Sequence, residues 1–476
     1  MDRYHAVMGE FYVGPFATSP DGTNLGEKEA VFTIIQRKCP FAPVLGHSTL
    51  SQSLFSTQID APHVRYLKED RASLNRLAER LQGEGSFLGE IRLVPEGTII
   101  FAGEPFADVK GNLWNIQLHE LKFEHAFDLP MTVGYRAMKM REAAGPKSFL
   151  SDFSLRREGD SDRSLRVSWA SYISGFDDTS DMDAALQLGI PDMGTMAHYL
   201  PQSFIEYLYH PEIDPITEKP KHFEMVAFER WLDANPKGTT LLLCTFNYET
   251  GIIHAIQAAL SSPARKAAFR FIRLDLKEPT EAIEAAVYCR KRLDLNGLQN
   301  VGIVLTGDLD AISIGKIRTS LPFPISGYGV GTKLSAEGEF IAGVIFKMSL
   351  MNMLAILKGT SGKGTLPGQF QLWRCVDSNG NYAKDIISLI DEPEPTGEDF
   401  DSAVSLLAPF WGKGVGLYQN RSPEKLKRFF ELQLTKFKVP LEKYPVVLSP
   451  KLAALKQEIT EKVQDKNPPE IKIPED

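Results

Sequence analysis

Apolar positions change period along this chain. "TTLLLCTF" (239–246) is a short unbroken apolar run and reads as a buried strand, whereas "TGIIHAIQAALSS" (250–262) repeats its apolar residues at helical spacing. The couple returns twice. "AAFRFIRLD" (267–275) precedes the helical "PTEAIEAAVYCRKRLDLNG" (279–297), and "NVGIVLTGD" (300–308) precedes "LDAISIGKIRTSL" (309–321). "PISGYGVGTKLS" (324–335) closes the series. Strands joined by crossover helices pair in parallel. Residues 121–345 are therefore expected to form an irregular α/β barrel. Sites in such barrels lie in the loops after the strand C-termini. The clusters "TFNYET", "RLDLKEP", "TGDLD" and "GYGVGTK" all fall there. Each alone is ordinary turn chemistry; four in succession at one end of the strands point to a shared site.

The flanks follow a different pattern. Residues 28–60 and 86–118 read as strand-rich, with β-branched and aromatic residues broken by Gly and Pro. Between them "HVRYLKEDRASLNRLAERLQGEG" has helical spacing, with Leu67, Leu74, Leu77 and Leu81 on one face. After about 350 a Gly/Lys-rich loop, "KGTSGKGTLPGQFQLWR", runs into a strand, and "SPEKLKRFFELQLTKF" is a short basic amphipathic helix. The expected organisation is an N-terminal α+β segment (1–120), the barrel (121–345), and a segment (346–460) that completes a second, β-rich α+β domain with the N-terminal one. A Pro-rich, charged end (461–476) is expected to be disordered.

Composition narrows the function. With 476 residues and 43% hydrophobic content, the chain is too long for one compact domain. A net charge of −8 disfavours a nucleic-acid partner. The four cysteines form no CxxC pair, so neither a zinc ribbon nor a disulfide scaffold is indicated. The N-terminus has no signal-like apolar run, and no uncharged stretch is long enough to span a bilayer. A soluble, cytoplasmic protein without membrane contact is expected.

The strand-end clusters supply candidate chemistry, and each also has a plainer explanation. Gly327, Gly329 and Gly331, followed by Thr332 and Lys333, could turn backbone N–H groups toward a phosphate. The P-loop spacing is absent, and a Gly-rich turn explains the run as well. Gly307, Asp308 and Asp310 could face ribose hydroxyls or a hydrated magnesium ion, or could simply sit at a helix N-terminus. Arg273 and Asp275, two apart on a strand, share a face, so the Arg could grip a carboxylate or the pair could be internal. Arg156 and Arg157, just after Phe153, suit phosphate or solvated salt bridges. His198 stands without a GxSxG elbow or an HExxH motif, which excludes the usual serine hydrolases and metalloproteases. The residues alone reach an α/β-barrel protein with an anion-friendly site.

The order of motifs adds to this. "DRYHAVMGEFY", "FTIIQRKCPF", "GEIRLVPEGTIIFAGEPFADVKG", "DFSLRREG", "GFDDTSD", "GTMAH", "RLD", "SGYGVGTKL", "KGTLPGQFQLWR" and "YPVVLSPKLAALKQEI" follow one another over roughly residues 2–460. As an ordered set they resemble the nicotinate phosphoribosyltransferases. The resemblance implies transfer of phosphoribosyl from 5-phosphoribosyl 1-pyrophosphate to nicotinate in NAD salvage, with Mg2+ as cofactor. ATP would be a co-substrate, coupled through a phosphohistidine at His198. It implies nicotinate held by Thr195 and Arg273, with the pyridine ring between Phe153 and Tyr4. Tyr4 would come from the partner of a homodimer with shared active sites. Arg156, Gly307 and Asp308 would face the phosphoribosyl group, and Gly329, Gly331 and Thr332 its 5-phosphate. Asp275 and Asp308 would stabilise positive charge on the ribose. Metal ligands are not assigned.

Ser180 stands where nicotinamide enzymes carry an acid, which favours nicotinate, since a hydroxyl can donate to a carboxylate. Asp178 and Asp181 flank it. The chain departs from the family at Leu276, at Cys244 and Asn247, and at Tyr199, where the family carries acids or a hydroxyl. An enzyme for nicotinamide or another base, or a non-catalytic nucleotide-binding relative, is the alternative.

Overall fold

The computed structural model describes residues 2–55, 61–69, 74–84, 86–215, 217–338, 340–359, 364–412, 415–418 and 420–463. They form two compact units, one from residues 133–339 and one from 1–132 together with 340–476.

The first unit carries the expected alternation. Its strands are β1 (Phe149–Asp152), β2 (Asp178–Thr179), β3 (Thr239–Leu242), β4 (Phe269–Asp275), β5 (Gly302–Thr306) and β6 (Gly327–Val330). They pair in parallel in the order β2-β1-β6-β5-β4-β3. Among the described residues no ladder joins β2 to β3, so the sheet is an open half-barrel. The helices used below are α1 (Ser161–Ile173), α2 (Met182–Leu188), α3 (Phe223–Ala234), α4 (Tyr248–Leu260) and α5 (Ala311–Ser320). The strands form because their apolar residues are swallowed: Val304 and Leu305 of β5 and Ile272 and Leu274 of β4 are all buried. In β6 the glycines have a packing reason. A Cβ at Gly327 would overlap the Phe149 ring, and one at Gly329 the Phe153 ring. Two of the three glycines of "GYGVG" are thus strand interior, and only Gly331 follows the strand.

The second unit is β-rich and draws on both ends of the chain, as expected. Glu29–Gln36 pairs antiparallel with Val344–Met351 on one side and Pro105–Asn112 on the other, within a seven-stranded sheet. A four-stranded sheet is centred on Phe370–Val376 and Tyr382–Leu389. The basic amphipathic helix is Pro423–Lys436, burying Leu426 and Phe430. Two expectations need correction. The stretch 28–60 is not strand throughout, because His47–Phe55 is a helix. Its start is held by a distant carboxylate: Glu96 Oε1 accepts from the N–H groups of Gly46 (3.2 Å) and His47 (3.0 Å). The single helix expected over 63–85 is two, Ala61–Lys68 and Asn75–Glu84, with residues 70–73 outside the described ones. The last helix, Pro450–Val463, runs into the expected tail, of which 464–476 lie outside the described residues. No described helix is long and apolar enough to cross a membrane.

A buried charge cluster anchors the four-stranded sheet. Arg374 forks onto Asp385 (Nε–Oδ1 3.0 Å, Nη2–Oδ2 2.6 Å), and the Tyr444 hydroxyl donates to Asp385 Oδ1 at 3.0 Å. Glu104, fully buried beside them, has its carboxyl pushed well above the ordinary range by burial and then by the Asp385 charge. The folded state therefore keeps this proton to higher pH than the unfolded chain. Its contribution is full below about 4.5, the ordinary value, and is lost as pH rises through the folded value. Urea denaturation over a pH series should show wild type losing stability relative to Glu104→Gln as pH rises from about 4.5 toward the folded value. A difference between the two proteins that does not change with pH would contradict the assignment.

Candidate active site

Of the residues singled out, Phe153 and His198 come against Arg273 and Asp275 on β4. On β4 the buried Ile272 and Leu274 alternate with these two, so both side chains leave the opposite face. Arg273 is held on three sides. Its Nε donates to Thr306 Oγ1 at the end of β5 (2.9 Å), and its Nη2 to Asp275 Oδ2 (2.7 Å). The Phe153 ring, just beyond β1, lies 5.9 Å from the guanidinium carbon. Nη1 has only a long contact, 3.5 Å, to the Met196 carbonyl. A guanidinium has five donors, so one arm is left to meet a planar anion.

His198 reaches the same carboxylate by a path the sequence did not suggest. Residues 191–193 run beside the edge strand β2: Thr179 N–H donates to Pro191 O (3.1 Å) and Met193 N–H to Thr179 O (2.9 Å). The chain then crosses to the other edge. There His198 Nε2 lies 3.4 Å from Asp275 Oδ2 and Nδ1 lies 3.3 Å from Thr245 Oγ1, in the loop after β3. This one segment links the two free edges of the sheet. The imidazole is half-exposed, at 44%, so a reagent in solvent can reach it. Thr195 is part-buried, and its hydroxyl meets only the Met196 carbonyl, at 3.4 Å.

The other strand ends are shaped by backbone. Gly307 has φ +110°, and a Cβ there would stand 2.5 Å from the Leu276 carbonyl. Asp308 follows with φ +48° and an exposed side chain. Leu276 N–H donates to Thr306 O (3.0 Å), so the β4 and β5 exits run together. Gly331 and Thr332 follow β6 and open the short helix Thr332–Ser335. Phe153 is fixed by its N–H to Val330 O (2.8 Å). Arg156 and Arg157 are exposed.

Asp152, not singled out in the sequence, organises the β1 and β2 ends. It accepts from the Ser154 N–H (2.9 Å) and hydroxyl (2.6 Å), from Ser168 of α1 (2.9 Å) and from Thr179 (3.2 Å). Its own carbonyl accepts the Ser180 N–H at 2.8 Å. Burial raises its carboxyl pKa, against those hydrogen bonds. Of the acids flanking Ser180, Asp181 caps α2 through Ala184 N–H (3.0 Å) and accepts the Ser164 hydroxyl. Asp178 sits within β2 opposite Ser151.

The departures from the family pattern acquire local reasons. Cys244 Sγ accepts the Asp275 N–H at 3.0 Å, and burial pushes its thiol up, so it is a neutral tie between β3 and β4. Asn247 caps α4, accepting from Glu249 N–H (2.7 Å) and Thr250 N–H (3.3 Å), as an Asp would. Tyr199 points to solvent at 74% exposure. Tyr4 belongs to the other unit, on the helix Arg3–Val13 capped by Asp2, and is 66% exposed. Thr245, Thr306 and Met196 are contacting residues not anticipated. Thr245 had one signal: it is the member of Cys244–Asn247 that keeps the family pattern.

No protein-family model matches the chain. Nicotinate phosphoribosyltransferase pncB2 of Mycobacterium tuberculosis is 29% identical over 397 residues, 81% of this chain and 78% of that protein. The chain is similar in sequence to proteins named nicotinate phosphoribosyltransferase. The enzyme named nicotinate phosphoribosyltransferase from Bacillus subtilis is 25% identical over 409 residues, 82% of this chain and 76% of that one. The fold agrees with that kinship. The crystal structure of human nicotinic acid phosphoribosyltransferase superposes with a TM-score of 0.72 at 22% identity, covering 96% of this chain and 99% of that one.

The close approach at Gly307 can be tested directly. Gly307→Ala should cost about 1–3 kcal/mol in chemical denaturation, from backbone strain plus the carbonyl overlap. Gly315→Ala, inside α5 with its nearest atom at 3.9 Å, should stabilise by up to about 1 kcal/mol. Equal effects would mean the Gly307 turn is not constrained as described.

Proposed function

We propose that the chain is a nicotinate phosphoribosyltransferase. It forms nicotinate mononucleotide and pyrophosphate from nicotinate and 5-phosphoribosyl 1-pyrophosphate, coupled to ATP hydrolysis through His198, and works in NAD salvage in the cytoplasm. The observation that carries the reading is Arg273: a guanidinium pinned by Thr306 and Asp275, beneath Phe153, with Nη1 left to grip a carboxylate. Kinship to the named enzymes supports the same chemistry.

In this reading nicotinate lies against Phe153 with its carboxylate on Arg273 Nη1 and the Thr195 hydroxyl, and Ser180 adds a donor. The anomeric C–O bond to pyrophosphate breaks as the pyridine nitrogen forms the C–N bond. Positive charge gathers on the ribose, and the carboxylates of Asp275 and Asp308 stabilise it. Gly331 and Thr332 offer N–H groups and a hydroxyl to the 5-phosphate beside Gly329, with Arg156 and Gly307 toward the phosphoribosyl group. Mg2+ when bound would neutralise the leaving pyrophosphate. Among the described residues Asp308 is exposed and forms no ion pair, whereas Asp275 is occupied by Arg273 and His198. The donor set therefore fits an ion held mostly by substrate oxygens, as magnesium prefers. His198 would take phosphate from ATP on the nitrogen facing Thr245, with Asp275 holding the other.

The homodimer in which Tyr4 reaches a partner's site has support in one helix. Tyr4, Val7 and Phe11 fall on one face at helical spacing and are exposed at 66, 44 and 46%, an apolar stripe of the kind a partner would cover.

The direct test is product analysis with purified protein, phosphoribosyl pyrophosphate and Mg2+. Nicotinate should yield its mononucleotide with one pyrophosphate per turnover. Binding of both substrates without turnover at high enzyme concentration would instead support a non-catalytic relative. ATP should accelerate the reaction and leave phosphate on His198, and His198→Ala should keep slow basal synthesis but lose the acceleration. If ATP changes neither rate nor affinity in wild type, the coupling is absent.

A further inference from the structure

Two helices on the β3 side of the half-barrel carry a cluster that the transfer reaction does not use. His222 caps α3, its Nδ1 accepting the Glu224 N–H at 3.3 Å. Glu224, in the first turn, is 1% exposed. Its Oε2 meets Nδ1 of His254, on α4, at 2.7 Å, while its Oε1 has no partner among the described residues. The two imidazoles stack with centroids 4.2 Å apart and planes 12° from parallel. One ligand atom from each of the three residues lies within 4.8 Å of the others.

We propose that His222, Glu224 and His254 bind one divalent transition-metal ion of the zinc type, clamping α3 to α4. Two imidazoles and one carboxylate are a common zinc donor set, with a fourth position left for water. The buried carboxylate supplies the independent reason. An unpaired oxygen in the interior carries a desolvation penalty that a cation in that space removes. The short Glu224–His254 contact is held by a proton that the ion would displace. Parallel rings cannot aim in-plane lone pairs at one point. Binding therefore turns His222 out of the stack, which its exposed position and long cap bond allow. Phe223, between the two ligands, packs edge-on to Phe246 at 5.3 Å, next to Thr245, which contacts His198. The ion would thus steady the loop after β3. Its role is structural, and the site stands whether or not the chain transfers phosphoribosyl.

The test uses the full chain, stripped with a chelator and titrated with Zn2+ by calorimetry in excess Mg2+. In parallel Co2+ is added and its visible absorption recorded. Magnesium occupies an oxygen-donor site but competes poorly for imidazole. Wild type should bind one Zn2+ per chain that Mg2+ does not displace, show the bands of a four- or five-coordinate cobalt ion, and melt at a higher temperature with Zn2+. His222→Asn, which keeps a capping side chain on α3, and His254→Gln should each lose the binding and the thermal shift. His222→Asn is at an exposed position and decides the matter if His254→Gln does not fold. No Mg2+-resistant Zn2+ in wild type, or undiminished binding in His222→Asn, would overturn the proposal.

Discussion

A single carboxylate oxygen, Asp275 Oδ2, is shared by Arg273 Nη2 at 2.7 Å and His198 Nε2 at 3.4 Å. The site depends on this sharing. It fixes the guanidinium that would read a carboxylate and the imidazole that would take a phosphoryl group, from one point at the end of β4. The carboxylate is part-buried and meets both partners without a long side chain having to be ordered from solvent. The backbone reinforces it, since the N–H of Asp275 is tied to the Cys244 thiol at the end of β3. Removing Asp275 would free both partners, so effects at Arg273 and His198 should be coupled rather than additive.

The half-barrel explains why so many groups can meet there. Parallel strands send all their C-termini to one end, and Phe153 after β1 and Thr306 at the end of β5 reach Arg273 from there. The sheet is open, and the segment 191–198 spans the gap between its edges. Substrate closure and sheet closure therefore involve the same residues. The open edge is also where the His222–Glu224–His254 cluster holds the helices before and after β3.

What the sequence disclosed follows from how local each cause is. β3, β4 and β5 were legible as apolar runs, and the period of two in "RLD" put Arg273 and Asp275 on one face. Causes that lie far along the chain were not legible. β2 is two residues long and exists because Asp152 and Pro191 hold it. Gly327 and Gly329 read as a Gly-rich turn or an anion loop, but the rings of Phe149 on β1 and Phe153 just beyond it require them. The helix His47–Phe55 owes its start to Glu96, and the helix Glu120–Ala144 carries Pro130 inside it, against its usual effect. Thr306 looked like the end of a strand until Arg273 was seen to donate to it. His222 and His254 are too far apart in sequence to form a motif. The site roles came from the order of the family's motifs, and the structure adds the contacts among them.

The central claim is that Arg273 reads the carboxylate of the base. It is tested most directly by the ratio of kcat/KM for nicotinate to that for nicotinamide, in wild type and in Arg273→Gln. Wild type should favour nicotinate, and the variant should lose that preference by about ten- to a hundredfold, the worth of a charge-assisted hydrogen bond. Its activity with nicotinamide should fall far less. A preference for nicotinamide in wild type, or an unchanged ratio in Arg273→Gln, would contradict the account.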